Sequence, residues 1–306
     1  MTGSARLASL LPSWELALSS RNLSPRTIEL YRWSANRFCV WLEAQGRPQD
    51  TDGVGAGDVR AFLHDQLTAG ASPASADIHR RTLRVLFAWL IDEGERTGPN
   101  PVDRAGKISV PADAKPILSE EQLRALLKAC EGNGFAERRD TAVLRIMIDT
   151  GVRASGLAGI LVADVNLRNR VALIRLKGGD AHVIPLGRKA AAAVDRYLRV
   201  RARHPKAELS PYLWLGTSGH DTGHMTRSGI HAMISRRGKQ AGIEGLSPHW
   251  FRRTAAHDML AAGLPESAVM AVAGWRTTAM LRRYTADLAA ERARSLHAER
   301  APGDRI

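Results

Sequence analysis

Six polar side chains follow one another in order through the C-terminal half of the chain: Arg153, Lys177, His249, Arg252, Trp275 and Tyr284. The first five can donate a proton or a hydrogen bond to an anionic oxygen, and the sixth carries a phenol that can serve as a nucleophile. An arginine fork offers two parallel donors to the nonbridging oxygens of a phosphate and stays charged at any working pH. His249 and Arg252 stand three apart, so on a helix they share a face and can address one anion. A phenol with an unperturbed pKa of about 10 is a poor nucleophile, and it needs cations nearby to help it ionise. Taken singly, each residue has an ordinary reading as surface or core, and Tyr31, Tyr197 and Tyr212 read as packing tyrosines. Specificity lies in the combination, its order and its loop contexts.

The elements that must position this set fall into two parts. From Leu7 to about Asp103 the apolar residues recur at helical spacing, with Ser24-Pro25 as an N-cap followed by proline, leading into Thr27 to Ala44. Val59 to Leu67 and Ser75 to Glu93 continue the pattern, the latter placing Leu83, Leu86, Phe87 and Leu90 on one face. Residues 1–105 are therefore expected to form a helical bundle. The stretch RAGKISVPADAKPIL carries two prolines and no helical period, which makes residues 106–118 an interdomain linker. Residues 119–306 form the second domain. There, Ser119 and Gln122 make a capping-box pattern opening a helix from Glu120 to Cys130, and another helix runs from about Ala136 to Thr150. Val171 to Leu176 and Ala181 to Leu186 are β-rich runs around Lys177-Gly178-Gly179-Asp180, which is hairpin chemistry. Helical pattern resumes at Arg188, with loops at Gly216 to Gly223 and Ile243 to Pro248, and an alanine-rich helix closes the chain at about 286–299. The expected class is mainly α in two domains, a helical bundle and a mixed α+β domain with a small antiparallel sheet.

The chain of 306 residues carries a net charge of +13, unevenly spread. Residues 1–105 hold 12 Lys and Arg against 12 Asp and Glu, so residues 106–306 hold 32 against 19 and supply all of the excess. A polyanion is the natural partner of such a half. No apolar run approaches the roughly 18 residues of a membrane span, and no signal pattern opens the chain, so a cytoplasmic protein without a membrane partner is expected. Cys39 and Cys130 lack metal or redox spacing and read as buried thiols. His220, His224 and His231 lie near a Gly-rich loop with only Asp221 as an acidic neighbour, and they read as loop histidines rather than metal ligands. His257 reads as a packed core histidine, and Arg175 as a strand-edge DNA contact or, more simply, an exposed residue.

The segments around the six residues resemble the tyrosine recombinase, or phage integrase, family. Thr150-Gly151-Val152-Arg153-Ala154-Ser155 resembles its T-G-L-R-x-S-E segment. Ile174 to Gly179 with Val183 to Leu186 resembles its strand, lysine turn and strand. Leu246-Ser247-Pro248-His249-Trp250-Phe251-Arg252 resembles its H-x-x-R box. Ala273-Gly274-Trp275 with Tyr284 nine positions later resembles its L-G-H and nucleophile tyrosine, at 23 residues from Arg252 to Trp275. The N-terminal half, with Leu23 to Ile28, Tyr31 and Pro99-Asn100-Pro101, is similar to the family's SAM-like core-binding domain.

The resemblance implies a site-specific recombinase that cleaves and rejoins DNA strands through a 3′-phosphotyrosine. Such a reaction needs a protein nucleophile, stabilisation of a pentavalent phosphorane and a proton for the departing 5′-oxygen. By resemblance Tyr284 attacks, Arg153 and Arg252 clamp the phosphate, Lys177 protonates the leaving group, His249 is a ligand or proton shuttle, and Trp275 donates its indole N–H where the family usually has histidine. No cofactor and no metal are implied. The partners implied are double-stranded DNA at specific sites and a tetramer on that DNA, with the C-terminal helix docking into a neighbouring protomer. The length resembles Xer-type, transposon and integron-type members. One departure stands out: Gly156 occupies a position where the family often has an acidic residue. Two other readings remain open, a type IB-like topoisomerase and a catalytically silent DNA-binding accessory protein.

Overall fold

Two Ser-Pro pairs start the longest helices of the N-terminal half, because the serine side chain caps a free backbone N–H and proline has none to leave unpaired. In the computed structural model, which describes residues 5–21, 23–110, 116–175, 181–216 and 223–305 (some side chains from 283 onward excepted), the chain divides into two compact units, Met1–Asp113 and Ala114–Ile306. The first holds α1 (Leu7–Ser20), α2 (Pro25–Ala44), α3 (Ala56–Thr68) and α4 (Pro73–Asp92). Ser24 accepts from the backbone of Thr27 at 3.2 Å, and Ser72 does the same for Ser75 at 3.2 Å. The expected start at Ser75 thus moves back to Pro73. Leu7, Trp14, Phe38, Phe62, Leu83 and Phe87 form the core, with the Phe38 and Phe62 rings edge to face at 5.0 Å. Inside it, Ser34 and the Nδ1 of His79 are hydrogen-bonded at 2.7 Å. Burial, and then the charge of Arg37, push the His79 imidazole down to a pKa of about 4.

The second unit is mainly helical around one small sheet, as its pattern indicates. Its elements are α5 (Glu120–Lys128), α6 (Phe135–Thr150), α7 (Ala154–Ala158), β1 (Val165–Asn166), β2 (Val171–Arg175), β3 (Ala181–Pro185), α8 (Arg188–Arg201), α9 (Arg227–Gln240), α10 (Pro248–Ala261), α11 (Glu266–Ala273) and α12 (Thr278–Arg300). The Ser119–Gln122 capping box is present, with both reciprocal bonds made. The three strands run antiparallel in the order β1-β2-β3, with Ala172 opposite Ile184 and Ile174 opposite His182. Ala172, Ile174 and Ile184 turn to the core, two residues apart on β2 as strand alternation requires. The two-residue β1 lies outside the expected hairpin.

Helix α6 packs between α8 and α10 and is tied to α9 by charge. Asp140 is fully buried and accepts from Arg139 at 2.7 Å, Arg237 at 2.9 Å and Arg236 at 3.1 Å. Arg139 and Arg237 also reach outward, to the carbonyls of Leu215 (2.9 Å) and Ala129 (2.7 Å), so the network ends on satisfied acceptors. The end of the chain departs from expectation. The helix expected over 286–299 begins at Thr278, so Tyr284 lies within α12 rather than ahead of a separate tail helix.

Candidate active site

Arg252 sits where α6 ends against α10, and a glycine makes that approach possible. Gly151 terminates α6 at φ +58, a left-handed conformation that side-chain-bearing residues adopt at a cost. A Cβ there would lie 3.0 Å from the Cα of Arg252 and 3.2 Å from the Cβ of Ala255. The Gly151 carbonyl accepts from Nη1 of Arg252 at 2.8 Å, which fixes the guanidinium. Two residues on, Arg153 occupies the cap of α7, half-buried.

Arg252 is only 3% exposed, and its Nε and Nη2 are buried without a hydrogen bond of good geometry, the Tyr284 hydroxyl lying near enough to interact with the guanidinium. A charged group left so short of partners is costly unless a ligand completes it. Burial, and then the charge of Arg153, draw its pKa down to about 10, with the Tyr284 hydroxyl opposing the shift. The guanidinium lies over the Trp275 ring at 4.6 Å and the Tyr284 ring at 5.6 Å. Those two rings stack on each other at 5.3 Å, tilted by 7°. Trp275 also buries an indole Nε1 without a partner. Three donors without a good hydrogen bond, on two side chains, thus sit against the phenol, a composition suited to an anion's oxygens.

Trp275 is held by the turn before it. Gly274 ends α11 at φ +64, and the N–H of Trp275 bonds back to the Met270 carbonyl at 2.9 Å. Ala256, Val269, Ala273 and Leu281 pack with the indole in a small core shared by α10, α11 and α12. His182 of β3 presses on this turn: a Cβ on Gly274 would meet its ring at 3.1 Å, and its Nε2 is 3.4 Å from the Val272 carbonyl. That link between sheet and turn spans 90 residues of sequence and leaves no local signal.

The structure therefore brings Arg153, Arg252, Trp275 and Tyr284 together. His249 stands on the first turn of α10, exposed, three residues before Arg252 on the same helix. Lys177 lies outside the described residues, as do His220 and Asp221. Arg175 is exposed as expected, and it is also paired with Asp164 at 3.1 Å, which holds that carboxyl below its usual range. His224 packs on Tyr212 with ring centroids 3.8 Å apart, and among the described residues no group of three acidic, His or Cys side chains is placed to hold a metal. His257 is half-buried rather than a core residue, because it lies on the edge of α10 where burial gives way to exposed Asp258. Cys39 is likewise half-buried, while Cys130 is buried as expected. Gly156 lines a cleft of about 460 Å³ with Arg153, Ser155, Ile174, Gly274 and Arg276. A Cβ at Gly156 would lie 3.4 Å from Ile174 and 3.7 Å from Val152, an ordinary contact for a methyl group.

Residues 116–291 match the model described as the phage integrase family, and residues 12–94 match that described as phage integrase, N-terminal SAM-like domain. A tyrosine recombinase XerD of Yersinia pestis is 29% identical over 290 residues, covering 92% of this chain and 93% of the relative. A tyrosine recombinase XerC of Roseiflexus castenholzii is 32% identical over 289 residues, covering 92% of this chain and 89% of the relative. The fold is similar to that of a lambda integrase dimer bound to a COC′ core site, with a TM-score of 0.73 at 18% identity over 92% of this chain and 77% of that one. Among the described residues, no helix is long and apolar enough to cross a membrane.

Proposed function

The chain belongs to the phage integrase family, and on that premise we propose that it is a site-specific DNA recombinase whose nucleophile is Tyr284. The observation that carries the residue assignment is the cluster of three buried donors without a good hydrogen bond, two on Arg252 and one on Trp275, packed against the Tyr284 ring. A phosphodiester supplies the acceptors they lack. In the proposed step the Tyr284 hydroxyl gives up its proton, to His249 or to water, and its oxygen bonds to phosphorus as the bond to the 5′-oxygen breaks, leaving a 3′-phosphotyrosine and a free 5′-hydroxyl. Arg252 and Arg153 hold the nonbridging oxygens and stabilise the added charge of the phosphorane, with Trp275 as a further donor. Lys177 gives the departing oxygen its proton, and His249 binds the phosphate or relays a proton. Attack of a 5′-hydroxyl on the phosphotyrosine reverses the step and rejoins the strand, so the bond energy is conserved within the link.

Arg252 is buried with the Trp275 and Tyr284 rings beside its guanidinium, so the proposed reaction needs neighbouring groups to move when a phosphate enters. We assign DNA clamping to residues 1–105, a linker to 106–118 and catalysis to 119–306, with double-stranded DNA as partner, a tetramer as the working assembly and the cytoplasm as the location. The end of α12, over 286–299, is the part that docks into a neighbouring protomer. Gly156 favours a second reading, a DNA-binding accessory protein without strand cleavage, because among the described residues no carboxylate lines the cleft beside Arg153.

Nicked suicide duplexes taken from the DNA flanking the gene separate the two. A detergent-resistant adduct with the wild-type chain, absent in Tyr284→Phe although that variant still binds the duplex, supports the recombinase. Duplex binding by wild type with no adduct on any site supports the accessory protein.

A further inference from the structure

A second strongly basic surface lies on the catalytic unit, lined by none of the six site residues. Between α5, α6 and α8 a cleft of about 440 Å³ is lined by Arg124, Lys128, Arg138, Arg145, Lys189 and Arg196, with Glu131 as its lining carboxylate among the described residues. Arg124 is paired with Glu120, on exposed side chains; Arg145 acts electrostatically on Asp149, and among the described residues Lys128, Arg138, Lys189 and Arg196 form no ion pair. The floor is built rather than fortuitous. Arg138 donates to the carbonyl and side-chain oxygen of Asn133 at 3.2 and 3.0 Å, and to the Arg196 carbonyl at 3.5 Å, which fastens the α5–α6 loop to α8. Thr141 donates to the Cys130 carbonyl at 3.2 Å from below.

The cations are arranged in a row. Helices α6 and α8 run antiparallel, since Arg138 meets Arg196 at one end and Asp149 accepts from the Gly187 N–H at the other. Arg138 with Arg196 therefore forms one level and Arg145 with Lys189 the next, seven residues on. At a rise of 1.5 Å per residue the levels are about 10 Å apart. One small anion cannot neutralise both. A nucleic-acid strand, with a phosphate every 3.4 Å of helix axis, sets about three charges along that length. Measured to Thr150, the last residue of α6, the levels lie roughly 8 and 18 Å along the helix.

We propose that this cleft is a second DNA-backbone site, holding a stretch of duplex other than the phosphate that reacts at Tyr284. It rests on the recombinase reading only for the identity of the polyanion. An arginine-rich row is sequence-tolerant, so its contribution is to affinity and register rather than to choice of site.

The test measures binding of a duplex that lacks a recombination site, as a function of salt, for wild type and for the combined variant Lys128→Gln, Arg145→Gln, Lys189→Gln. The expected result is a fall of about 2 to 3 in the slope of log affinity against log salt, from roughly 0.9 per lost contact, with melting temperature and adduct rate at saturating DNA unchanged. Acetylation of Lys128 and Lys189 by a water-soluble ester, read by mass spectrometry on the wild-type chain, should be blocked by duplex. That readout needs no variant and covers the case in which the triple substitution fails to fold. An unchanged slope and unprotected lysines would overturn the proposal while leaving the recombinase reading intact. Protection of those lysines by poly-glutamate but not by duplex would overturn it in favour of an acidic protein partner. A wild-type chain that binds no DNA at low salt would sink both readings together.

Discussion

Gly151→Ala is the substitution from which the geometry of the site predicts most. Two costs add. The left-handed conformation at φ +58 disfavours any Cβ by about 1 to 2 kcal/mol. The new methyl would also stand 3.0 Å from the Cα of Arg252 and 3.2 Å from the Cβ of Ala255, in the seam between α6 and α10. Such overpacking costs about 1 to 3 kcal/mol more and is relieved by parting the helices by a few tenths of an ångström. Gly242, which follows α9 at φ +73 and where an added methyl would meet nothing within 4 Å, isolates the first cost. Urea denaturation of both variants should therefore show Gly242→Ala destabilised by about 1 to 2 kcal/mol and Gly151→Ala by about 2 to 5 kcal/mol. Because the displaced carbonyl is the one that fixes Nη1 of Arg252, phosphotyrosine formation should fall with Gly151→Ala by roughly tenfold, scaled from about 100-fold for a 1 Å misplacement. Gly242→Ala should leave that rate alone. Equal destabilisation of the two, with a normal adduct rate for Gly151→Ala, would refute the idea that the glycine exists to seat Arg252.

Three further outcomes follow from buried polar groups. Asp140→Ala leaves Arg139 and Arg237 buried without their shared counter-charge and should destabilise the catalytic unit by about 3 to 5 kcal/mol in the same assay. Trp275→Phe keeps the stack on Tyr284 but removes an orphaned N–H, so thermal stability should hold or rise slightly while adduct formation drops about 100-fold, a split that a purely structural tryptophan would not give. His79 should make the N-terminal unit acid-sensitive. Its folded pKa of about 4 lies below the ordinary 6.5, so the unfolded chain binds the proton more readily between those values. Stability is then complete above about pH 6.5 and falls as pH drops toward 4, by about 3 kcal/mol at most, and His79→Gln should flatten that slope in chemical denaturation.

Local chemistry made much of the fold legible. Ser24-Pro25 and the Ser119–Gln122 box announce helix starts through groups only a few residues apart, and the apolar period of α4 marks its buried face before any partner is known. The same Ser-Pro signal at Ser72-Pro73 is available in the sequence and places the start of α4 two residues before Ser75. What the sequence conceals is contact between distant segments. Asp140 shows its neighbour Arg139, but Arg236 and Arg237 arrive from 96 and 97 residues away. Gly151 is visible as a helix stop, yet its tightness depends on α10, which no local pattern supplies. His182 reads as one more polar strand residue until β3 meets the Gly274 turn. The six candidate residues can be named from their order, whereas the stacking of Trp275 on Tyr284 and the burial of Arg252 beside them depend on helices packed together.

The proposed chemistry turns on Tyr284 becoming joined to a DNA 3′-phosphate. Digesting the covalent complex and sequencing the nucleotide-bearing peptide by mass spectrometry tests it most directly. The expected product is a nucleotide linked through its 3′-phosphate to Tyr284, with a free 5′-hydroxyl on the released strand. A link to any other residue, or one through a 5′-phosphate, would contradict it.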